Sequence, residues 1–333
     1  MVNDIGGSGN ETRLRLLCAI EACGGEFVSG EELSRRFSVS RTSIWKQMRV
    51  LRAKGYDIES QPRRGYRLIS CPEDISALEV RKRLSCSLFG CDIQQLARVA
   101  STQQEAFRMA QGGAPAGTVV LAEEQTGGRG RVGRSFFSPP GGLWFSVILR
   151  PPLQPQVCLP LSLMAGVAVV ESVIGLTGLP AVLKWPNDVL VGGKKVAGIL
   201  AEMVAETDAV RFVILGIGVN ANVPVGAFPV ELQSIATSLS AESGKDVSRS
   251  RLLCTILENL DRRYADMLSL GAGSVLDAWR KCPNVLGGRV RVNSINEQVQ
   301  GLALDLDIDG ALLVRTDDGT VKRVIVGDVS MNG

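Results

Sequence analysis

A glycine- and arginine-rich segment followed by paired prolines most restricts how this chain can fold. The segment runs from Gln125 to Ser138 and reads Gln-Thr-Gly-Gly-Arg-Gly-Arg-Val-Gly-Arg-Ser-Phe-Phe-Ser. The spacing of its glycines matches the dinucleotide-binding fingerprint and nearly matches the P-loop pattern. Both motifs need a helix to begin directly after the glycines. Two prolines and two glycines, residues 139–142, follow instead and disfavour a helix. We therefore expect neither nucleotide-binding motif.

The same segment is predicted to form a mobile loop that carries Arg129, Arg131 and Arg134. Each guanidinium offers a planar fork of donors to phosphate or carboxylate. Three of them on one loop favour closure over an anionic ligand. A solvated basic loop without a ligand is the alternative.

Composition excludes several classes of chemistry. The chain has 333 residues and no histidine, which excludes a histidine-based triad, a histidine general base and the usual metal sites. Its length and its 45% hydrophobic content predict a globular protein of two to three domains. We expect no membrane partner, since the most apolar run, 159–174, carries Glu171 and a glycine, Gly166.

The eight cysteines predict a reducing compartment. None belongs to a Cys-x-x-Cys pair and no secretory signal is present. The pattern is typical of free thiols in a cytoplasmic protein.

Basic residues are concentrated near the N-terminus. Residues 1–70 hold 12 Lys and Arg against 8 Asp and Glu, whereas the rest of the chain holds 25 against 26. Such a concentration in one terminal segment is typical of a nucleic-acid-binding module joined to a neutral enzyme.

The local pattern of this segment predicts a winged helix-turn-helix. Ser29 and Glu32 form a capping box for a helix that ends at Phe37, and Ser40 can cap a basic helix over 41–54. Two strands, 56–60 and 66–69, would then form a wing with a basic tip. The residues predicted to bind DNA are Arg41, Thr42, Lys46, Arg49, Arg63 and Arg64. A winged helix that binds another protein is the alternative.

Four further motifs follow one another in a defined order. A Ser101-Thr102 pair precedes the arginine loop, and Lys-Trp-Pro-Asn-Asp (184–188), Lys-Val-Ala-Gly-Ile-Leu (195–200) and Gly-Val-Asn (218–220) come after it. Together with the loop, these motifs resemble the biotin–protein ligases over nearly the whole chain.

The strand and helix patterns predict an α+β fold in three domains. Residues 1–70 would be the winged helix-turn-helix domain, with a linker over 70–74. Residues 71–285 would form a catalytic domain, opened by a helix over 75–84, around a mixed and mostly antiparallel sheet. The resemblance implies that this domain is like those of class II aminoacyl-tRNA synthetases. Residues 286–333, with hairpin signals at 309–310 and 318–319, suggest a small SH3-like β-barrel.

The resemblance implies a two-step reaction. ATP activates the carboxylate of biotin to biotinyl-5′-adenylate, and the acyl group then passes to a lysine of an acceptor protein. Positioning and positive charge around the phosphates suffice for the first step, which suits a chain without histidine. ATP and Mg²⁺ are the implied cofactors, and biotin is the substrate.

The resemblance also implies roles for individual residues. The implied catalytic residues are Lys195, Arg131 and Lys184. The implied biotin-binding residues are Ser101, Thr102, Gln103, Gln125, Arg129, Gly130, Arg131, Lys195 and Gly198. The implied ATP-binding residues are Arg131, Lys184, Asn187, Asp188 and Asn220, with Asp188 as a metal ligand.

Some residues leave alternatives open. Gln103 stands where the family usually has asparagine, and Phe136 where it often has tryptophan. Ser101 and Thr102 could cap a helix, Lys195 could be a strand-end surface lysine, and the Trp-Pro-Asn-Asp run could be only a tight hairpin.

The predicted function is therefore that of an ATP-dependent biotin–protein ligase that also represses biotin genes. The implied partners are the biotin carboxyl carrier protein of acetyl-CoA carboxylase, operator DNA and a second copy of the chain. The alternatives are a ligand-sensing regulator without ligase activity and an acyl-adenylating ligase for lipoate.

Overall fold

The computed structural model describes residues 8–71, 75–86, 88–152, 158–206, 209–294 and 297–331. The chain divides into two compact units, Met1–Arg83 and Leu84–Gly333. The strands form three sheets, one of two strands in the first unit and two of seven and five strands in the second.

The first unit is a winged helix-turn-helix, as predicted. Its elements are α1 (Ser8–Glu21), α2 (Gly30–Phe37), α3 (Arg41–Ala53), β1 (Asp57–Gln61), β2 (Gly65–Ser70) and α4 (Ala77–Arg83). Ser29 caps α2 by accepting from the Glu32 amide at 3.0 Å, and Ser40 caps α3 by accepting from the Ser43 amide at 3.1 Å. Both predicted caps are confirmed.

One side of each helix builds the core of this unit. Ile44, Met48 and Leu51 of α3 are fully buried, as the helical spacing predicted, and they pack with Leu17 and Leu33. The opposite side of α3 is exposed. The core therefore fixes which face of α3 is available to a partner.

Helix α4 belongs to the first unit and not to the second. Leu78 lies in the first unit's hydrophobic core, the Tyr56 hydroxyl lies 3.1 Å from Ser76 Oγ, and Lys82 pairs with Glu21 at 2.8 Å. The compact unit therefore ends after Arg83 and not at the sequence-derived boundary near residue 70, because these contacts hold α4 to the winged helix. Most of the expected linker, 72–74, lies outside the described residues.

The second unit is built around a seven-stranded sheet. Its strands are β3 (Ile93–Val99), β4 (Val119–Gln125), β5 (Leu143–Leu149), β6 (Val182–Lys184), β7 (Asp188–Val191), β8 (Lys194–Ala205) and β9 (Val210–Val219). Their order is β3-β4-β5-β9-β8-β7-β6, and only β3 and β4 pair in parallel. The predicted mixed and mostly antiparallel sheet is confirmed.

Six helices accompany this sheet in the described part of the second unit. They are α5 (Thr102–Gln111), α6 (Cys158–Thr177), α7 (Val230–Gln233), α8 (Leu239–Ser243), α9 (Arg249–Leu270) and α10 (Gly273–Lys281). Helices α6 and α9 are joined by a 2.9 Å hydrogen bond from Asn259 to Ser172 Oγ. The two short helices α7 and α8 were not predicted.

Helix α6 contains the run that was expected not to contact a membrane. Its segment Leu159–Thr177 has a mean hydropathy of 1.9 and is long enough to cross a bilayer, but 67% of it is buried inside the fold. Glu171, which argued against such a run, forms ion pairs with Arg262 and Arg263 of α9. A core helix meets the same criteria of length and composition.

A second sheet, fully antiparallel, follows α10. Its strands are β10 (Arg289–Asn293), β11 (Gln298–Leu306), β12 (Leu312–Thr316), β13 (Val321–Val324) and β14 (Asp328–Met331), in the order β13-β12-β11-β10-β14. The predicted turns at 309–310 and 318–319 are present, with Gly310 at φ 88° and Gly319 at φ 86°. Strand β14 was not predicted, and the SH3-like barrel stays a prediction.

Candidate functional site

A cavity of about 130 Å³ opens on the central sheet of the second unit, beneath the arginine loop. Eleven of the predicted site residues line it: Ser101, Thr102, Gln103, Gln125, Arg129, Gly130, Arg131, Asn187, Asp188, Lys195 and Gly198. They come from the start of α5, from the segment after β4, and from β7 and β8. Four separated stretches of sequence therefore meet at one place.

Neutral polar side chains form the floor of this cavity. Thr102 donates to Gln125 Oε1 from its amide at 2.8 Å and from its hydroxyl at 3.0 Å. Its hydroxyl also lies 2.8 Å from Ser146 Oγ. Ser146 Oγ in turn donates to Gln103 Oε1 at 3.0 Å. A connected network of this kind holds its members in fixed orientations.

Ser101 stands at the N-cap position of α5 but does not cap it with its side chain. The residue is 1% exposed and its Oγ has no hydrogen-bond partner. A buried hydroxyl without a partner costs free energy unless a ligand or water satisfies it. Since Ser101 lines the cavity, its hydroxyl is available to a bound molecule.

A lysine and a carboxylate face each other at the charged end of the cavity. Lys195 Nζ lies 2.6 Å from Asp188 Oδ1, and Lys184 Nζ lies 3.5 Å from Asp188 Oδ2. Lys195 Nζ also lies 5.4 Å from the centre of the Phe136 ring. Lys195 is thus held at the cavity wall and is not a freely solvated surface lysine.

The arginine loop is a closed hairpin. Its ends are tied by a 2.7 Å hydrogen bond from the Gly130 amide to the Arg134 carbonyl and by a 2.8 Å bond from the Phe136 amide to the Gly128 carbonyl. Only a short 3₁₀ turn, Arg131–Gly133, interrupts it. The predicted absence of a helix after the glycines is confirmed.

Two residues near the start of β14 hold the loop from the other side. Arg131 donates to Asn187 Oδ1 at 3.1 Å and to the Gly327 carbonyl at 3.3 Å. Arg134 pairs with Asp328 at 2.5 Å, and Asp328 also lines the cavity. Burial lowers the pKa of Arg131, while the carboxylates of Asp328 and Asp188 oppose that shift. The C-terminal sheet therefore contributes to the site.

Glycines at three positions let other groups approach closely. A Cβ on Gly128 would lie 2.3 Å from the Phe136 carbonyl oxygen, and a Cβ on Gly198 or Gly218 would lie 2.8 or 2.6 Å from the Phe136 ring. Phe136 packs against Trp144 with ring centres 5.8 Å apart. The ring that replaces the expected tryptophan therefore forms one side of the cavity.

Two predicted site residues do not line the cavity. Lys184 approaches it only through its contact with Asp188. The Asn220 amide donates to the carbonyls of Thr237 at 2.9 Å and of Lys195 at 3.3 Å. With the residue 4% exposed, its side chain serves to position the segment that follows β9.

Sequence reasoning missed several residues that line the cavity: Arg134, Phe136, Phe145, Ser146, Leu200, Gly216, Gly218 and Asp328. Arg134 was predicted only as one of three loop arginines that close over an anionic ligand, and Phe136 only as a departure from the family's tryptophan; neither was assigned to the biotin or ATP site. The Phe-Ser pair of β5 lies in an apolar run with no sequence signal of its own. Asp328 comes from a strand that was not predicted.

Asp188 was predicted to be a metal ligand, and its surroundings decide whether the protein itself could hold a cation. Across the part of the chain that the structure describes, no three His, Cys, Asp or Glu side chains are grouped as metal ligands. The Asp188 carboxylate is already engaged by two lysines. These residues therefore do not fit a protein-held cation, and Asp188 is positioned as the partner of Lys195.

The first unit carries a separate basic surface. Arg41, Thr42, Lys46 and Arg49 are exposed on α3, and Arg63 and Arg64 are exposed at the turn between β1 and β2. A groove of about 620 Å³ separates the two elements and is lined by Arg41, Thr42 and Arg63. The predicted DNA-binding residues therefore lie on the two elements that border this groove.

An exposed tryptophan on the same surface was not predicted to bind. Trp45 is 47% exposed, lines the groove and lies beneath Arg49, whose guanidinium carbon is 4.9 Å from the ring centre. Arg64 stacks on Phe27 at 4.1 Å. Stacking of this kind orients a guanidinium while leaving its charge available.

Comparisons with known proteins agree with both surfaces. Family models match residues 23–67 as an HTH domain, 96–220 as the biotin/lipoate A/B protein ligase family and 285–331 as the biotin protein ligase C terminal domain. The chain is 39% identical to the bifunctional ligase/repressor BirA of Bacillus subtilis, over 96% of this chain and 98% of the relative. It is 30% identical to the bifunctional ligase/repressor BirA of Escherichia coli, over 97% of this chain and 98% of that relative.

A solved structure supports the same relationship. The biotin protein ligase from Aquifex aeolicus, in complex with biotin and ATP, is similar with a TM-score of 0.63 and 31% identity. The match covers 73% of this chain and 99% of the other.

Proposed function

The chain belongs to the biotin/lipoate A/B protein ligase family, and we propose that its cavity binds the ring of biotin on the polar floor and the phosphates of ATP beneath the arginine loop. Its relatives over nearly the full length are biotin ligases that are also repressors. The chain is accordingly an ATP-dependent biotin–protein ligase with a DNA-binding repressor domain.

The division of the cavity into a neutral and a cationic end carries this proposal. Thr102 and Ser146 contribute neutral donors and acceptors, whereas Lys195 and Arg131 contribute positive charge. Biotin has the same division, with an uncharged cyclic urea at one end and a carboxylate at the other. Neutral ureas need placed hydrogen-bonding groups in a buried pocket.

The first step would be adenylation of biotin. A carboxylate oxygen attacks the α-phosphorus of ATP, the bond from that phosphorus to the bridging oxygen breaks, and pyrophosphate leaves with the electron pair. Negative charge increases on the α-phosphate oxygens as this happens. Lys195 and Arg131 at the cavity wall would stabilise that charge, and the contact of Lys195 with Asp188 would hold it in place.

The second step would be transfer to an acceptor lysine. The unprotonated ε-amine attacks the acyl carbon, AMP leaves with the bonding pair of the mixed anhydride, and the nitrogen loses one proton to solvent as the amide forms. Relatives from Paracoccus denitrificans and Mycobacterium tuberculosis are named biotin--[acetyl-CoA-carboxylase] ligase. We propose the biotin carboxyl carrier protein of that enzyme as the acceptor here.

The arginine loop would shield the intermediate between the two steps. Arg131 reaches both Asn187 and Gly327, so the loop is tied to other parts of the site and would help to separate a bound intermediate from solvent. Exclusion of water slows hydrolysis of a reactive anhydride. Mg²⁺ would arrive with the nucleotide phosphates, and we assign it no step.

Repression would need two copies of the winged helix on one duplex. Six basic or polar side chains on one small unit make few phosphate contacts, so a single unit would bind weakly. A two-fold dimer would bind an inverted repeat. We propose that a cytoplasmic homodimer, favoured by the adenylate, is the repressing form.

The direct test is ATP-dependent transfer of labelled biotin, against labelled lipoate, to a purified biotin carboxyl carrier domain. We expect transfer of biotin by the wild type, with lipoate transferred poorly or not at all. Equal transfer of both acids would overturn the assignment of the polar floor to the urea. No transfer of either would overturn the proposed roles of the cavity.

A further inference from the structure

Arg49 on α3 is oriented by an aromatic ring. Its guanidinium carbon lies 4.9 Å from the centre of the Trp45 ring, about one helical turn earlier in α3. Such a stack uses the face of the guanidinium, so the N–H groups, which lie in its plane, stay free. Among the residues that the structure describes, none accepts a hydrogen bond from these N–H groups or forms an ion pair with them. Arg49 therefore combines a fixed direction with unoccupied donors.

Other arginines of the first unit use their donors within the protein. Arg52 of α3 donates from Nε and Nη2 to the Ile58 carbonyl, at 2.8 and 2.6 Å. Arg64, between β1 and β2, donates from Nη1 to Gln61 Oε1 at 3.1 Å. Part of each of these guanidinium forks is occupied, whereas the whole fork of Arg49 is available to a bound partner.

The stack holds this fork near the N-terminal half of α3. Helical side chains lean toward the N-terminus of their helix, so Arg49 lies over the turn that carries Trp45. Thr42 and Lys46 project from the same exposed side of α3, and Trp45 and Thr42 line the groove beside the wing. A recognition helix contacts base edges mainly with its N-terminal residues. The fork of Arg49 is therefore placed where base edges would lie.

A fixed and unoccupied fork matches the edge of a guanine. In the major groove, guanine presents two acceptors, O6 and N7, and arginine can donate to both at once. Contacts with phosphate depend mainly on charge and tolerate many side-chain directions. An arginine that is already oriented also loses less side-chain freedom on binding. Orientation by Trp45 therefore favours a base contact over a phosphate contact.

We propose that Arg49 reads one guanine in each operator half-site through its fork, and that Trp45 is a positioning residue that holds the fork in the required direction. The inference rests on the DNA-binding function proposed above and gives that function a chemical target. Loss of the stack should therefore lower sequence specificity more than it lowers affinity for DNA in general.

The test compares two duplexes with the full-length protein, in the presence of biotin and ATP at fixed salt. One duplex is selected from a random library by the wild type, and the other has the same composition in scrambled order. We expect Arg49→Lys to lower the ratio of the two affinities by about tenfold or more, because lysine lacks the fork. Affinity for the scrambled duplex should stay within about twofold, because the charge is kept.

Variants of the ring separate positioning from direct contact. Trp45→Leu keeps an apolar surface but removes the π face, and it should lower the ratio as much as Arg49→Lys does. Trp45→Phe keeps an aromatic face and should lose less than about threefold. In the Trp45→Leu background, Arg49→Lys should add less than about twofold, because both changes remove one contact.

A modified base identifies the contact itself. Deazaguanine, which has carbon in place of N7, replaces each guanine of the selected duplex in turn. At one position in each half-site it should weaken binding by the wild type but not by Arg49→Lys. Arg36→Lys is the matched control, because it removes an exposed arginine that stacks on Phe37 at 5.7 Å outside α3, and it should leave the affinity ratio unchanged.

Four outcomes would overturn the inference. They are a wild-type affinity ratio in Arg49→Lys, additive effects of Trp45→Leu and Arg49→Lys, equal losses in Trp45→Leu and Trp45→Phe, and the same response of wild type and Arg49→Lys to deazaguanine at every position. A wild type that selects no sequence from the library would instead contradict the proposed DNA-binding function.

Discussion

The ammonium of Lys195 lies 2.6 Å from the carboxylate of Asp188 at the cationic end of the cavity. The pair is partly exposed, with 31% and 16% of the two side-chain surfaces accessible. The ion pair therefore contributes little to the stability of the fold. Its role would be to hold one positive charge where the carboxylate of biotin and the α-phosphate of ATP would meet. Lys184 shares the same carboxylate from a greater distance.

Removal of this charge should abolish most of the first step. We expect Lys195→Ala to lower the rate of adenylate formation at least about 100-fold, the order found when one preorganised electrostatic donor is lost. Lys194→Ala is the matched control, because its ammonium bonds the Gln233 carbonyl outside the cavity. Pyrophosphate release near the wild-type rate in Lys195→Ala would show that this lysine is not catalytic.

Arg131 should matter more for holding the intermediate than for forming it. Its guanidinium joins the loop to Asn187 and Gly327. We therefore expect Arg131→Gly to shorten the half-life of enzyme-bound adenylate by about tenfold or more, through escape or hydrolysis. The half-life is measured by isolating the complex and following release of labelled AMP. Arg98→Gly removes an exposed arginine that pairs with Glu124 and should leave it unchanged.

Two adjacent glycines should differ sharply in their tolerance of alanine. A Cβ on Gly128 would lie 2.3 Å from the Phe136 carbonyl oxygen, whereas a Cβ on Gly127 would lie 3.4 Å from that of Ala100, an ordinary contact. Gly128→Ala should displace the loop and lower ligation at least about tenfold. Comparable activity of the two variants would contradict the close approach of Gly128 to the Phe136 carbonyl.

The second unit should be an active ligase by itself. Every described residue that lines the cavity lies between Ser101 and Asp328, and the compact unit begins at Leu84. We expect a chain starting at residue 84 to ligate biotin within about threefold of the full-length rate. A chain starting at 71 should be less soluble, because it would expose the apolar face of α4 that Leu78 marks.

DNA binding should depend on the exposed side of α3. Arg41→Ala/Arg49→Ala should lose binding to a duplex selected from a random library by the wild type, with ligation intact. Arg98→Ala/Arg108→Ala removes as many charges from the second unit and should bind normally. Trp45→Ala should weaken binding about tenfold, if its ring contacts a thymine methyl group.

Operator binding should also respond to the ligands. We expect tighter binding with biotin and ATP present than without them, because the adenylate would favour the dimer that places two winged helices on one duplex. Anisotropy titrations at fixed salt measure this difference. Equal affinities would refute the coupling, and sedimentation at the same concentrations would show whether the dimer itself had formed.

The sequence was sufficient for features that depend on local pattern. The caps at Ser29 and Ser40, the core face of α3 and the hairpin turn at Gly310 each follow from a few neighbouring residues. The cavity motifs were found because each contains an unusual group of glycine, lysine or arginine residues. Their meeting at one site followed from the resemblance, not from their spacing.

Features that depend on distant packing were not predictable. Helix α4 was assigned to the wrong unit, because its contacts with Tyr56 and Glu21 come from other elements. Ser146 lies in the apolar strand β5, and it contacts Thr102 only because β5 packs against the start of α5. Asn220 matched a motif, yet its amide is used by backbone carbonyls.

The hydrogen bond from Arg131 to Gly327 joins residues that are 196 positions apart in the chain. A ribosome takes about 10–40 s to synthesise such a stretch at about 5–20 residues per second. During this time the winged helix, whose compact unit ends at Arg83, is already complete, while the arginine loop lacks its anchor. A nascent chain would thus carry its whole DNA-binding surface well before it could retain an activated acyl group.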